Sequence, residues 1–209
     1  MSLRKEKAAR LKLAILDEAL RLIGKKPFQD LFVEDICARV KISKVTFFKY
    51  FPQKEDLLLY HFRIWCLGRA VELKQSPKAG IQGIYFLAEK LAEAAEIHPG
   101  IMFSLIGYLS DLKRAPKPFP VKPEEKKMRH PDVKDLDGLE IHSLEIMVES
   151  FVLEAIFKKE ITRNTNTREI TLLVASVLYG SLTTGYLTQQ NPLKLFFRKN
   201  MDLLLKGLQ

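Results

Sequence analysis

Apolar residues recur at helical spacing along almost the whole chain. Leu11, Ile15, Ala19, Leu22 and Ile23 share one face of a segment from about residue 6 to 23, which Gly24 and the GKKPF stretch bring to a stop. Two short segments follow at 33–40 and 44–51, separated by KIS; Pro52 ends the second, because proline has no amide hydrogen to continue the ladder. A longer helix is predicted over 54–74, and others over 79–97, 100–113, 138–160, 167–189 and 193–208, with Pro77, Pro99 and Pro192 near their starts. No sustained period-two alternation bounded by hairpin turns occurs, so the pattern predicts an all-α fold. The stretch KRAPKPFPVKPEEKKMRHP at 113–131 carries five prolines and reads as a loop or mobile linker. Its basic side chains can touch nucleic acid, but a solvated surface segment is the reading favoured. There is no internal repeat.

The two short helices, joined by about three residues, have the form of a helix-turn-helix, in which the second helix enters the major groove and the first supports it. The apolar positions fit that form. Val33, Ile36 and Val40 can face inward, Ile42 can plug the turn, and Phe47 and Phe51, four apart, can anchor the second helix. Lys44, Val45, Thr46, Phe48, Lys49 and Tyr50 then occupy the outer sides. The Thr46 hydroxyl can bond a base edge or phosphate, Phe48 can press on a thymine methyl, and Tyr50 and Lys54 can hold phosphates. Ser43 stands where a cap of the second helix belongs. Lys5, Lys7, Arg10 and Lys12, with Arg4, are read as a basic arm that can extend to the adjacent backbone or minor groove, or be disordered in free solution.

Charge supports a division into two modules. The formal net charge is +9, and residues 1–55 carry 13 Lys and Arg against 7 Asp and Glu, whereas residues 56–209 carry 21 against 18. Two thirds of the excess thus falls in the first quarter of the chain, as expected of a small basic module that meets an anionic partner, joined to a nearly neutral one. The expected boundaries are 1–53 for the helix-turn-helix domain and 54–209 for the larger helical domain.

Residues 10–60, ILDEALRLI followed by VEDICARVKISKVTFFKYFPQKEDLLL, resemble the N-terminal domain of the TetR family of bacterial transcriptional regulators. The family's S-K-x-T-aromatic-aromatic-x-Y-F-x-x-K-E-x-L pattern is met at Ser43, Lys44, Thr46, Phe47, Phe48, Tyr50, Phe51, Lys54, Glu55 and Leu57. The resemblance implies a three-helix domain that binds double-stranded DNA as a homodimer on a palindromic operator, with DNA contacts at Lys44, Val45, Thr46, Phe48, Tyr50 and Lys54; Lys49 is added from its outward position. It implies core roles for Ile36, Ile42, Phe47 and Phe51, and repression as the usual outcome. Three positions depart from the family: Lys41 stands where glycine usually opens the turn, Phe48 where tyrosine is frequent, and Phe32 where a threonine often caps the supporting helix. Strain or a reshaped turn is expected at Lys41.

Beyond residue 75 the resemblance is one of helix number and order only. It implies a small-molecule effector site and a dimer built from the last two helices. The sequence supports the dimer independently: Ser176, Gly180 and Thr184 form a small-residue stripe, and Leu193, Phe197, Met201, Leu204 and Leu208 an apolar face, over about 167–208. Internal packing explains both as well. Phe62, Trp65, Phe86, Phe103, Tyr108, Phe151 and Tyr179 are the effector candidates, with Tyr85 and Tyr186 beside them, although core packing accounts for any one of them. Their apolar character suggests an apolar or amphipathic ligand, which would act through the 54–74 helix that joins the modules.

The sequence has no nucleotide-loop, HExxH or GxSxG motif, and His61, His98, His130 and His142 are isolated in the chain, so neither catalysis, a metal nor a cofactor is expected. Cys37 and Cys66 are read as reduced, buried thiols. The charged N-terminus does not read as a secretory signal, no run approaches the ~18 apolar residues of a membrane span, and the expected location is cytoplasmic. The alternative is a basic helical module that binds proteins or membrane surfaces without reading bases.

Overall fold

Among the described residues of the computed structural model, 3–110, 119–162 and 166–209, every regular element is a helix. In chain order these are α1 (Leu3–Ile23), a 3-10 turn (Phe28–Asp30), α2 (Val33–Val40), α3 (Lys44–Tyr50), α4 (Asp56–Gln75), α5 (Ile81–Ile97), α6 (Pro99–Leu109), α7 (Pro123–Arg129), α8 (Leu144–Phe157), α9 (Thr167–Leu187) and α10 (Leu193–Lys206). Packing gathers them into two units, Met1–Val71 with His98–Ile141, and Glu72–Ile97 with His142–Gln209. This grouping differs from a cut at residue 53: α4 runs from one unit into the other, and α6 and α7 join the N-terminal helices.

In the first unit Ile15, Leu16 and Ala19 of α1, Ile36 of α2, Phe47 and Phe51 next to the turn, and Leu57, Leu58 and Tyr60 of α4 form one buried cluster. Complete burial of such side chains stabilises by roughly 1.5–3 kcal/mol each. The stretch read as a linker contributes to this cluster. Phe119 stacks on Phe51 with ring centres 5.7 Å apart, and α7 then packs on α1. Two of its basic side chains are tied into the fold. Lys126 Nζ donates to the Leu139 carbonyl at 2.6 Å, and Arg129 pairs with Asp17 at 2.8 Å. Glu125 is buried, accepting from Lys12 Nζ at 3.1 and 3.2 Å and from the Tyr60 hydroxyl at 3.0 Å. The five prolines disguised a helix whose first position, Pro123, is one that proline suits. Residues 111–118 of the same stretch, and the expected end of the 100–113 helix, lie outside the described residues.

The helix expected from residue 138 starts only at Leu144, where the Ser143 hydroxyl accepts from the Ile146 amide at 3.2 Å. The preceding residues lie on the first unit's core through Leu139 and Ile141 instead. Arg63 donates to the Ile141 carbonyl at 2.9 Å.

His61 and His98, far apart in sequence, meet edge to face with ring centres 6.1 Å apart. Burial, with smaller contributions from His98 and Arg129, lowers the His61 imidazole from 6.5 to about 4. The folded chain thus binds this proton more weakly than the unfolded chain. The stabilisation is fully present above about pH 6.5 and is lost as pH falls towards 4, on the order of 2–3 kcal/mol for a largely buried group. In urea unfolding followed by circular dichroism, the wild type should lose stability across that window. His61→Gln should remove up to one proton's worth of that slope; an unchanged slope would show that His61 does not titrate abnormally.

In the second unit α5 packs against α8, α9 and α10. Gly83 permits the closest approach, since a Cβ there would lie 2.2 Å from the Phe151 ring. Phe151 is therefore a packing partner of α5. Phe197, Met201 and Leu208, expected on a dimer face, are buried within this unit; α10 turns that face onto α5 and α9. The exposed apolar surface lies elsewhere, at Leu172, Leu173, Tyr186 and Leu187 of α9 and at Leu195 and Leu203 of α10. With apolar residues on both its faces, α9 is long and apolar enough by length and composition to cross a membrane, at mean hydropathy 1.5. This corrects the expectation that no segment is.

Candidate nucleic-acid interface

The α2–α3 corner is built by three local devices. Lys41 turns the chain at φ 58° and ψ 51°, the left-handed conformation that glycine adopts most cheaply. Ile42 follows, its amide donating to the Cys37 carbonyl at 3.0 Å and its side chain packing against the core. Ser43 then caps α3, accepting from the Thr46 amide at 3.2 Å. Phe47 and Phe51 are fully buried and hold α3 by one side.

The opposite side carries the side chains expected to read DNA. Val45 is 81% and Phe48 44% exposed, so two apolar side chains one helical turn apart face outward. Phe48 is kept in place by its edge-to-face contact with Phe47, ring centres 5.3 Å apart. Lys44 and Lys49 are exposed, and Lys44 pairs with Glu34 of α2. Such an exposed pair is worth little and can be exchanged for a phosphate. Thr46 is half-buried, its hydroxyl 3.0 Å from that of Ser43, and Tyr50 is half-buried against the core.

Lys54 is placed differently. Its ammonium donates to the carbonyls of Phe28, Gln29 and Leu31 at 3.3, 3.3 and 3.0 Å and lies over the Phe28 ring. It closes the end of the 3-10 turn, a role that no sequence signal marked. The basic arm also takes another form: from Leu3 onward its residues are the first turns of α1, with Arg4, Lys5, Lys7 and Arg10 exposed and Lys12 buried against Glu125. Burial lowers the Lys12 pKa, and Glu125 opposes that effect.

Of the effector candidates, Phe62 and Trp65 are brought together, stacked in parallel at 5.7 Å, with the Arg69 guanidinium 5.0 Å from the Trp65 ring. The indole Nε1 is buried without a hydrogen-bond partner among the described residues. Phe103 and Tyr108 are half-buried in the same unit, whereas Phe86 is half-buried in the other unit and Tyr179 is exposed on α9. Cys37 and Cys66 are buried free thiols, and burial pushes Cys66 up to about 12. Among the described residues no cluster of His, Cys, Asp or Glu could hold a metal.

The family profile of bacterial regulatory proteins, tetR family, matches residues 15–60, the segment that contains this corner. Residues 15–60 thus carry a TetR-family N-terminal module. Solved structures show that the likeness of fold extends much further. The transcriptional regulator FadR from Bacillus subtilis, solved in complex with stearoyl-CoA, is 17% identical and superposes with a TM-score of 0.61 over 94% of this chain and 99% of its own. E. coli NemR in its reduced form is 13% identical, TM-score 0.56, over 90% and 95%. Salmonella enterica GusR is 18% identical, TM-score 0.52, over 94% and 96%. No curated protein matches the chain.

Within that module the sequence departs from the usual pattern at two places that the structure describes. Phe32 precedes α2 with no side-chain cap and stands 60% exposed. Lys41 holds the turn in the conformation that the family's glycine would favour. Lys41→Gly should therefore fold to the same turn and gain up to about 1 kcal/mol, the relief of left-handed strain outweighing the added freedom of the unfolded chain. Thermal unfolding measures this, and a lower melting temperature would show that Lys41 carries no strain.

Proposed function

We propose that this chain is a sequence-specific transcriptional regulator: a homodimer that binds a palindromic operator through α3, represses, and is released by a small apolar or amphipathic effector. The observation that carries this reading is the division of α3. Its buried face fixes the helix on the core, while Val45 and Phe48 stand exposed beside Lys44, Thr46 and Lys49. Such a helix can press apolar groups on thymine methyls and hold phosphates with its lysines. Residues 1–53 would form the reading module and the remainder the effector and dimer domain.

Two copies are required to place two such helices in successive major grooves about 34 Å apart. The exposed apolar faces of α9 and α10, with the exposed stripe Ser176, Gly180 and Thr184 beside them, suit a two-fold helix pairing. An amphipathic effector is favoured by the stacked Phe62 and Trp65, which offer apolar surface, and by the unmatched indole N–H and the Arg69 guanidinium, which suit a polar end. The expected location is the cytoplasm, where the DNA is.

Selection of bound duplexes from a random pool tests the reading, and an enriched inverted repeat is the expected result. Salt-dependent binding with no enrichment would favour the basic-module alternative. Mass spectrometry of small molecules that copurify with the protein would show whether the effector has this chemistry.

A further inference from the structure

Beside the C-terminal end of α3 lies an open groove of about 880 Å³. One wall is the start of α1, with Arg4 and Lys7; the second is Lys49 and Tyr50 of α3; the third is the segment that leads into α7, with Lys122 at its rim. Its lining contains no carboxylate, and its one buried cation, Lys12, is already paired with Glu125. Arg4, Lys7, Lys49 and Lys122 are all exposed, and none is ion-paired among the described residues. Four like charges therefore converge on one trough from three parts of the chain, at some electrostatic cost unless an anion lies between them.

We infer that this groove takes the sugar-phosphate backbone of the DNA that α3 reads, so that Lys122, far beyond α3 in the chain, supplies a phosphate contact. The inference rests on the reading of α3 as the recognition helix. Continuity favours DNA as the occupant, because Lys49 and Tyr50 belong both to α3 and to the groove. Lys122 is held for the task. Its amide donates to Glu125 at 3.3 Å, and Glu125 is fixed by Lys12 and Tyr60. Phe119, three residues earlier, is stacked on Phe51 at the end of α3. The backbone that carries the lysine is thus part of a packed segment, and only its exposed side chain has to be ordered on binding.

Lys122→Gln is the test, with Lys7→Gln as a second variant and binding measured over a range of salt concentrations on both a selected inverted repeat and an unrelated duplex. Each variant should weaken both duplexes by a similar factor, of several-fold or more at moderate salt. The slope of log K against log salt should fall by about 0.9 for each phosphate that is no longer neutralised, hence by about two for a dimer. Melting temperature should not move, since both lysines are exposed. If the wild type selects an inverted repeat but Lys122→Gln leaves affinity and slope unchanged, the groove does not hold DNA and the recognition role of α3 stands. Weaker binding with an unchanged slope would also overturn the phosphate role of Lys122. If the wild type selects nothing, the recognition role itself fails.

Discussion

Glu125→Ala should lower the stability of the protein by about 3–5 kcal/mol, because it leaves the Lys12 ammonium buried with no counter-charge. At about 2–4 °C per kcal/mol for a chain of this size, the melting temperature should fall by roughly 6–20 °C. Lys12 is 7% and Glu125 1% exposed, and the ammonium also sits 4.0 Å from the centre of the Tyr60 ring. The pair is not thereby a strong net stabiliser, since desolvating two charges offsets much of their attraction. A matched apolar replacement separates the two effects. Lys12→Met, Tyr60→Phe and Glu125→Leu together should recover most of the loss, whereas Glu125→Ala alone should not. A Glu125→Ala protein that melts with the wild type would mean that α7 is not packed on α1 as described.

That network also marks where the sequence was legible. Heptad-like apolar spacing located α1 to α5, α9 and α10 to within a few residues, because each of these helices buries one continuous stripe. The anchors Ile36, Phe47 and Phe51 and the cap Ser43 could be read for the same reason: their roles are set by neighbours within a few positions. Lys12, Lys54 and Lys126 could not. A lysine looks the same in sequence whether its ammonium meets water, a distant carboxylate or three carbonyls, and its partners here lie 113 residues away for Lys12 and 23 to 26 for Lys54. The prolines of 113–131 argued for an irregular segment on local grounds, and α7 exists because Glu125 finds Lys12 and Tyr60, which only the tertiary fold brings near. The face of α10 stayed open between a dimer partner and internal packing for the same reason, since an apolar stripe states that something covers it and not what; Phe197 and Met201 are covered within the unit.

Thr46→Ala combined with Phe48→Ala should abolish most of the preference for the selected operator while leaving binding to unrelated duplexes within a small factor. Base contacts of this kind are worth about 1–3 kcal/mol per position. Two half-sites lose them together, so the symmetric dimer should lose at least roughly 30-fold in discrimination, the effect of about 1 kcal/mol lost in each half-site. Phe48 is 44% exposed and Thr46 only partly so, which makes Phe48→Ala the larger of the two and keeps the fold out of the comparison. Lys49→Gln should behave in the opposite way, lowering affinity for every duplex and flattening the salt dependence. Lys54→Ala should do neither in pure form. Its ammonium closes the Phe28–Asp30 turn, so it should lower the melting temperature first and DNA affinity as a consequence. Equal, sequence-blind losses from Thr46, Phe48 and Lys49 would mean that α3 holds the backbone without reading bases, and the specificity would have to be sought on another surface of the chain.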